Sequence, residues 1–200
     1  FSGRITLGMV AAGYIAKQIL KDIHFEAKVL EIGGSKDIQG AVDKALSEGD
    51  SVGGLIECNI NGLPIGLGEP FFDSVESMIS HLIFAIPATK GIEFGSGFSA
   101  AQMKGSIHND EILDAEGKTK TNHAGGINGG ITNGNEIVFR VAVKPTSSIG
   151  KSQKSFNQAN KRTEEFTIAG RHDACIALRI PVIIEAAAAI ALADLFLLQV

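Results

Sequence analysis

The chain has 200 residues, of which 44% are hydrophobic and 20% are charged, and its formal net charge is −4. These values indicate a globular protein with one substantial core, and they exclude an intrinsically disordered chain. No basic run stands out, so a nucleic acid is not an expected partner. Two cysteines are too few for a disulfide framework, and no signal-peptide pattern is seen, so we expect reduced thiols in a cytoplasmic protein.

Apolar periodicity and glycine punctuation predict the elements of the first half of the chain. They are a helix over 4–21, a strand over 27–32, a short helix over 41–47 and a strand over 52–60. A further helix is expected after Asp73, which reads as its N-cap, with Glu76 completing a capping box. Its apolar positions, from Val75 to Ile83, recur at helical spacing and predict a core-facing side.

The second half is predicted to contain a strand over 91–98, an irregular segment over 99–116, a strand over 135–144, a strand over 164–169 and a helix over 181–198. The strand over 135–144 is the clearest, because its apolar residues alternate with period two. The apolar run at 180–200 is long enough to span a membrane. Glu185 and Asp194 lie inside it, however, and they favour a buried core helix, so no membrane partner is expected.

The strands are separated by turns and helices without regular βαβ alternation, which predicts an α+β fold with antiparallel sheets. We see no internal repeat and no linker, so residues 1–200 are interpreted as a single domain. None of the five histidines forms an HExxH pair and the cysteines lack zinc spacing, so no metal site is expected.

Residues 121–148 are dense in glycine and close on a lysine, a proline and three hydroxyl residues. Glycines let a backbone approach a ligand closely, and a cation beside hydroxyls suits a phosphate or a flavin edge. The competing interpretation is two tight turns joined by a hairpin, because glycine marks turns far more often than ligands. Likewise, the cluster Arg171-His172-Asp173 fits either a surface turn with an ion pair or a functional site.

Four segments occur in the order of one known family: GDSVGG at 49–54, PIGLGEPFF at 64–72, the glycine-dense stretch at 121–148 and GRHDAC at 170–175. The opening FSGR at 1–4 also fits, so the chain is similar to chorismate synthase over essentially its whole length. The resemblance implies helices sandwiched between antiparallel β-sheets, in a homotetramer. It also implies the conversion of 5-enolpyruvylshikimate 3-phosphate to chorismate and phosphate by anti-1,4-elimination, with reduced FMN and with NADPH as one possible reductant.

The resemblance assigns site roles residue by residue. The FMN contacts that it implies are Ser2, Pro87, Ala88, Gly129, Lys144, Pro145, Thr146, Ser147, Ser148 and Arg171. Asp173 is implied as a catalytic acid/base near the flavin N5, although Ala174 replaces the proline that the family usually has next. Arg4 is a candidate for the substrate phosphate or carboxylates, because arginine binds both in bidentate fashion, and it also fits a solvated arginine in a first helical turn. Pro87 and Ala88 fit a simple turn between helix and strand equally well.

One departure from the family concerns the region before Phe1. There the family has a segment with two histidines thought to act as proton donors, and some later connections are also shorter here, which implies a chain without those parts. A non-catalytic flavin- or anion-binding module with the same fold is therefore the alternative to an enzyme, and a redox flavoenzyme is a third possibility.

Overall fold

The computed structural model describes residues 3–170 and 172–199. Thirteen helices and strands, together with three short 3-10 turns at Gly3–Ile5, Gly97–Gln102 and Ile176–Arg179, make up this part of the chain. In chain order the elements are α1 Thr6–Ile19, β1 His24–Ile32, α2 Ile38–Ser47, β2 Gly54–Asn61, α3 Val75–Phe84, β3 Thr89–Phe94, α4 Gly105–His108, β4 Ile127–Asn128, β5 Ile131–Thr132, β6 Ile137–Val143, β7 Gln153–Asn157, β8 Arg162–Phe166 and α5 Pro181–Leu197.

Strand β6 lies inside a four-stranded antiparallel sheet of order β1-β2-β6-β3. Its alternation explains this position, because Ile137, Phe139, Val141 and Val143 are buried on one face. On the other face Arg140 bridges the neighbouring strands, with Nε 3.0 Å from a carboxylate oxygen of Glu57 and Nη1 3.4 Å from Glu93. The sheet therefore buries one face, on which these four residues of β6 lie together as the alternation predicts. Two hairpins, β4-β5 and β7-β8, lie outside this sheet.

Helix α5 is the centre of the helical layer, and it packs against α1, α3 and β1. Most of its residues are buried, which explains why it is apolar on nearly all sides. Its one internal glutamate is satisfied, since Glu185 accepts a hydrogen bond from Lys17 Nζ at 2.6 Å and another from the Ala27 backbone N–H at 2.9 Å. Among the described residues no helix combines the length and apolarity that crossing a membrane requires.

The predicted α+β class with antiparallel sheets is confirmed, and so are α1, α3, β6 and α5 within a few residues. The predicted cap of α3 is wrong by one residue. Ser74 is the N-cap, with its Oγ accepting the Ser77 backbone N–H at 3.1 Å, whereas the Asp73 carbonyl accepts the N–H of Glu69. Strand β3 ends at Phe94, earlier than predicted, because Gly95 and Gly97 adopt positive φ and turn the chain into a 3-10 helix.

The strand predicted over 164–169 overlaps β8, which starts earlier and ends at Phe166, and β8 is the second strand of the hairpin β7-β8. Its first strand, Gln153–Asn157, was not predicted, because most of its residues are polar and it shows no buried face. The short helix α4 also lies within the segment predicted to be irregular.

Candidate functional site

A cavity of about 670 Å³ opens where four separate parts of the chain meet. They are the start of α1, the connection from α3 to β3, the run that follows β6, and the 3-10 turn that leads into α5. One wall is apolar, formed by Ile176, Ile180 and Ile183. The other side carries hydroxyls and charged groups, including those of Thr6, Lys144 and Asp173. Clefts that combine an apolar wall with a few convergent polar groups are the usual form of ligand sites.

The run 144–148, which follows β6, is held by bonds to three other segments. The Lys144 backbone N–H donates to the Ala88 carbonyl at 3.0 Å, which extends the β6-β3 pairing to the cavity. The Ser51 hydroxyl donates to the Thr146 carbonyl at 2.6 Å, and the Thr146 hydroxyl donates to the Asp173 carbonyl at 3.2 Å. The run is thus fixed on both sides, as a group that binds a ligand through its backbone and hydroxyls needs to be.

The connection before β3 contains a strained residue. Ala88 has φ 73°, a left-handed backbone conformation that residues other than glycine rarely adopt. It lines the cavity beside Pro87. Such strain persists only where neighbouring structure fixes it, here through the bond from Lys144 to the Ala88 carbonyl. Pro87 and Ala88 do form a turn between helix and strand, and that turn is also a wall of the cavity.

His172 is held at both ring nitrogens. Its Nε2 lies 2.8 Å from the Ile168 carbonyl oxygen, and its Nδ1 lies 2.9 Å from the Ser148 hydroxyl oxygen. Because a carbonyl can only accept, Nε2 must carry a hydrogen, so in the neutral ring Nδ1 accepts from the Ser148 hydroxyl. His172 therefore links the run after β6 to the segment that carries Asp173.

The charged groups of the cavity are three cations and one carboxylate. Arg4, Lys144 and Arg179 line it together with Asp173. The Asp173 carboxylate lies 3.1 Å from Arg179 Nη2, and Lys144 Nζ donates to the Pro145 carbonyl at 3.1 Å. This balance favours an anionic ligand, because the cations outnumber the carboxylate among the described lining residues.

Cys175 lies two residues after Asp173 and is buried. Burial raises the pKa of the Cys175 thiol, the Asp173 charge raises it further, and backbone N–H groups of Ala177 and Leu178 oppose the rise. A thiol that is kept protonated is a poor nucleophile, so Cys175 is a packing residue of this site.

Most of the predicted site residues meet in this cavity. Those that line it are Arg4, Pro87, Ala88, Lys144, Thr146, Ser147 and Asp173. Pro145 and Ser148 belong to the same run without lining the cavity. Ser2 and Arg171 lie outside the described residues. Sequence reasoning missed Arg179 and the isoleucine wall; the only signal for Arg179 was an arginine just before the Pro181 start of a helix.

Gly129 is a predicted contact in the described residues that neither lines this cavity nor belongs to a segment that does. It lies at the exposed turn between β4 and β5, where the next residue, Gly130, accepts the Val75 N–H at the start of α3. The cavity is lined instead by Pro87 and Ala88, beyond the end of α3. Its φ is 60°, and a Cβ built there meets nothing within 4 Å. An FMN contact at Gly129 stays a prediction.

The rest of the glycine-dense stretch has a structural role. Gly125 and Gly126 both have positive φ, and a Cβ on Gly126 would lie 2.4 Å from the Glu136 carbonyl oxygen. Asp110 holds the start of the stretch by accepting hydrogen bonds from the backbone N–H groups of His123 and Ala124 at 2.8 and 2.9 Å. These glycines form tight turns that pack closely on β6, which is the simpler of the two interpretations.

Comparisons with known proteins show which protein family the chain resembles. Residues 1–197 match the family model described as chorismate synthase. The chain is 62% identical over 200 residues to a chorismate synthase of Chitinophaga pinensis, with all of this chain and 60% of that protein covered. It is 41% identical over 225 residues to a chorismate synthase of Korarchaeum cryptofilum, with 97% of this chain and 62% of that protein covered.

A crystal structure of chorismate synthase superimposes with a TM-score of 0.81 at 27% identity, and covers 99% of this chain and 64% of that one. This match confirms the predicted chorismate synthase-like fold. The chain spans about three fifths of the length of the relatives that it matches. It belongs to the chorismate synthase family.

Proposed function

We propose that the protein carrying this chain converts 5-enolpyruvylshikimate 3-phosphate to chorismate and phosphate, as a carbon–oxygen lyase of aromatic amino-acid biosynthesis that requires reduced FMN. One observation carries the proposal. Residues implied by the family resemblance come from widely separated segments, yet Arg4, Ala88, Lys144 and Asp173 line one cavity. Nothing in the described residues favours a non-catalytic module.

The lining residues suit a flavin mononucleotide, which has an apolar ring system and a phosphate. The isoleucine wall and Pro87 offer apolar surface, and Thr146, Ser147 and Lys144 offer donors for an anionic or carbonyl edge. When bound, a reduced flavin lends electron density to the substrate as the phosphate leaves. NADPH is a candidate source of the electrons that reduce it.

The chain itself supplies binding, orientation and a proton-transfer group. Lys144 and Arg4 are positioned to attract the anionic groups of the ligands, and the isoleucine wall excludes water from one side. Asp173 presents a carboxylate whose side chain is 33% exposed, with its backbone carbonyl fixed by Thr146. A carboxylate held in this way can accept the proton that C6 of the substrate loses.

A homotetramer in the cytoplasm is part of the proposal. The assembly is supported by exposed large apolar side chains on α1, namely Leu7, Tyr14 and Ile15. Exposed apolar surface is typical of protein interfaces. Sedimentation equilibrium of the complete gene product would measure the assembly, and a monomer at micromolar concentration would contradict it.

The experiment that tests the function is an anaerobic assay of the complete gene product. With 5-enolpyruvylshikimate 3-phosphate and reduced FMN, we expect stoichiometric release of phosphate and formation of chorismate. We expect neither with oxidised FMN, nor with shikimate 3-phosphate, which lacks the enolpyruvyl group. Equal phosphate release without any flavin would reject the proposal.

A further inference from the structure

Arg179 and Asp173 form an ion pair at the cavity, with Nη2 and Oδ2 3.1 Å apart. Both residues line the cavity. The Arg179 side chain is 77% exposed and reaches Asp173 from the last position of the 3-10 turn Ile176–Arg179. No family resemblance assigned a role to this arginine.

The ion pair between Arg179 and Asp173 can be replaced by another ion pair at little cost in stability. A solvent-exposed ion pair contributes little to stability, because water screens the charges and the long side chain must be ordered. A single contact between Nη2 and Oδ2 also leaves the other guanidinium N–H donors of Arg179 available for a second acceptor. A phosphate monoester carries up to two charges and several acceptor oxygens, and it accepts bidentate bonds from an arginine.

Arg179 differs from Lys144 in what it contacts. Lys144 Nζ donates to a neutral backbone carbonyl, that of Pro145. The partner of Arg179 is a carboxylate, so an incoming phosphate and Asp173 compete for the same cation. Competition of this kind couples the binding of the anion to the release of the carboxylate.

We propose that Arg179 binds the phosphate monoester of a ligand in this cavity, and that its ion pair with Asp173 opens when the phosphate binds. The consequence that Asp173 becomes available for proton transfer at that moment rests on the proposed function. The competition between phosphate and Asp173 does not rest on it. The phosphate belongs either to the flavin or to the substrate, since both are phosphate monoesters.

The competition is measured by isothermal titration of inorganic phosphate into the complete gene product in a phosphate-free buffer. We expect Arg179→Gln to weaken phosphate binding about ten-fold, the effect of one charge-assisted bond. We expect Asp173→Asn to strengthen it several-fold, because the cation is no longer occupied by a carboxylate. In the double variant most of this gain is lost.

Three controls keep the result interpretable. Arg179→Lys retains a cation and should keep most of the phosphate affinity. Arg162→Gln removes another exposed, ion-paired arginine, in the β7-β8 hairpin, and should leave phosphate binding unchanged. Thermal unfolding of each variant identifies any that fails to fold, and if Arg179→Gln does, Arg179→Ala takes its place in the single and double variants.

Two results overturn the proposal. One is a phosphate affinity that Arg179→Gln leaves unchanged. The other is a gain from Asp173→Asn that is equally large when Arg179 is already glutamine, since that gain would reflect only the removal of a nearby negative charge.

A comparison of FMN with riboflavin decides whether Arg179 binds the phosphate of the flavin or that of the substrate. If Arg179 binds the flavin phosphate, Arg179→Gln weakens FMN binding and leaves riboflavin binding unchanged. If it binds the substrate phosphate, FMN binding is unchanged and KM for the substrate rises. An intact phosphate competition in a protein that makes no chorismate would refute the proposed function and leave the role of Arg179 standing.

Discussion

The hydroxyl oxygen of Ser148 and Nδ1 of His172 lie 2.9 Å apart, which joins the run after β6 to the segment that carries Asp173. A second bond, from Nε2 to the Ile168 carbonyl, fixes the orientation of the ring. His172 is therefore a positioning residue, which sets where two walls of the cavity lie relative to each other.

Ser148→Ala should lower the free energy of unfolding by about 1 kcal/mol, the usual net value of one such hydrogen bond. His172→Gln should cost a similar amount, because its amide can still donate to the Ile168 carbonyl while the bond to Ser148 is lost. Urea unfolding of both single variants and the double variant measures this coupling. Strictly additive losses would show that the two side chains do not interact.

Lys144→Ala should weaken FMN binding by about 1 to 2 kcal/mol, the scale of one charge-assisted hydrogen bond. The residue lines the cavity, and its ammonium contacts only a neutral carbonyl among the described partners. Quenching of flavin fluorescence gives the affinity. Lys154→Ala, in β7, is the matched control, since it removes an exposed lysine that does not line the cavity. Unchanged FMN affinity in Lys144→Ala would move the contact to another residue.

Asp173→Asn should lower turnover about ten-fold or more, the lower range of what one acid/base group contributes. Asparagine keeps nearly the same shape but cannot exchange a proton during turnover. Flavin binding should not weaken, and stability should change by less than about 1 kcal/mol, because the ion pair with Arg179 is exposed. Stopped-flow measurement of chorismate formation at saturating flavin decides it. Wild-type turnover would make Asp173 a structural partner of Arg179.

Two glycines of α1 should respond in opposite directions to the same substitution. A Cβ on Gly13 would lie 2.3 Å from the Ala186 Cβ, so Gly13→Ala should destabilise by about 1 to 3 kcal/mol through overpacking against α5. A Cβ on Gly8 meets nothing within 4 Å, so Gly8→Ala should stabilise by about 0.5 to 1 kcal/mol. Thermal and urea unfolding give both values. Unchanged or increased stability in Gly13→Ala would contradict the close α1-α5 packing.

Asp110 should make the protein less stable in acid. Burial raises the pKa of its carboxyl, but hydrogen bonds from the backbone N–H groups of Ala124 and His123 and from the Thr121 hydroxyl outweigh burial and hold the pKa below its ordinary value of 3.8. A depressed pKa means that the stabilisation is complete above the unfolded value and is lost as the pH falls below it. Asp110→Asn should therefore destabilise at pH 7 and differ less from wild type at pH 3.

Unfolding in urea at the two pH values tests this expectation. Asp43→Asn, which replaces an exposed carboxylate on α2 that contacts only Gln39 among its described hydrogen-bond partners, serves as the control. If the difference between Asp110→Asn and wild type were the same at both pH values, the hydrogen bonds seen at Asp110 would not be linked to its ionisation.

Local patterns were sufficient for the elements in which one face is buried. The alternation in β6 and the helical spacing in α3 directly indicate which face of each element packs against the core. They were insufficient where neighbouring residues compete, as at the cap of α3, since Asp73 and Ser74 can both accept the bonds of a helix start. They were also insufficient for β7, which has polar residues and pairs with only one other strand.

The site residues likewise divide into those that the sequence predicted and those that it did not. The cluster around Asp173 and the run from Lys144 were identified through a family resemblance, because no spacing rule joins segments so far apart in the chain. Arg179 was missed, since a lone arginine before a helix carries no local mark of its partner. Its pairing with Asp173 depends on how the chain turns between them, through the 3-10 turn Ile176–Arg179, which the sequence does not reveal.

The bond between Lys17 and Glu185 joins residues 168 positions apart, and α1 packs mainly on α5. A ribosome adds about 5 to 20 residues each second, so α1 emerges roughly 10 to 30 s before its partner helix has been made. During that interval the core-facing residues Ala16 and Leu20 have no surface to pack against. The helical layer of this protein is therefore completed only after α5 has been made, and α1 is the segment that a co-translational chaperone would have to shield.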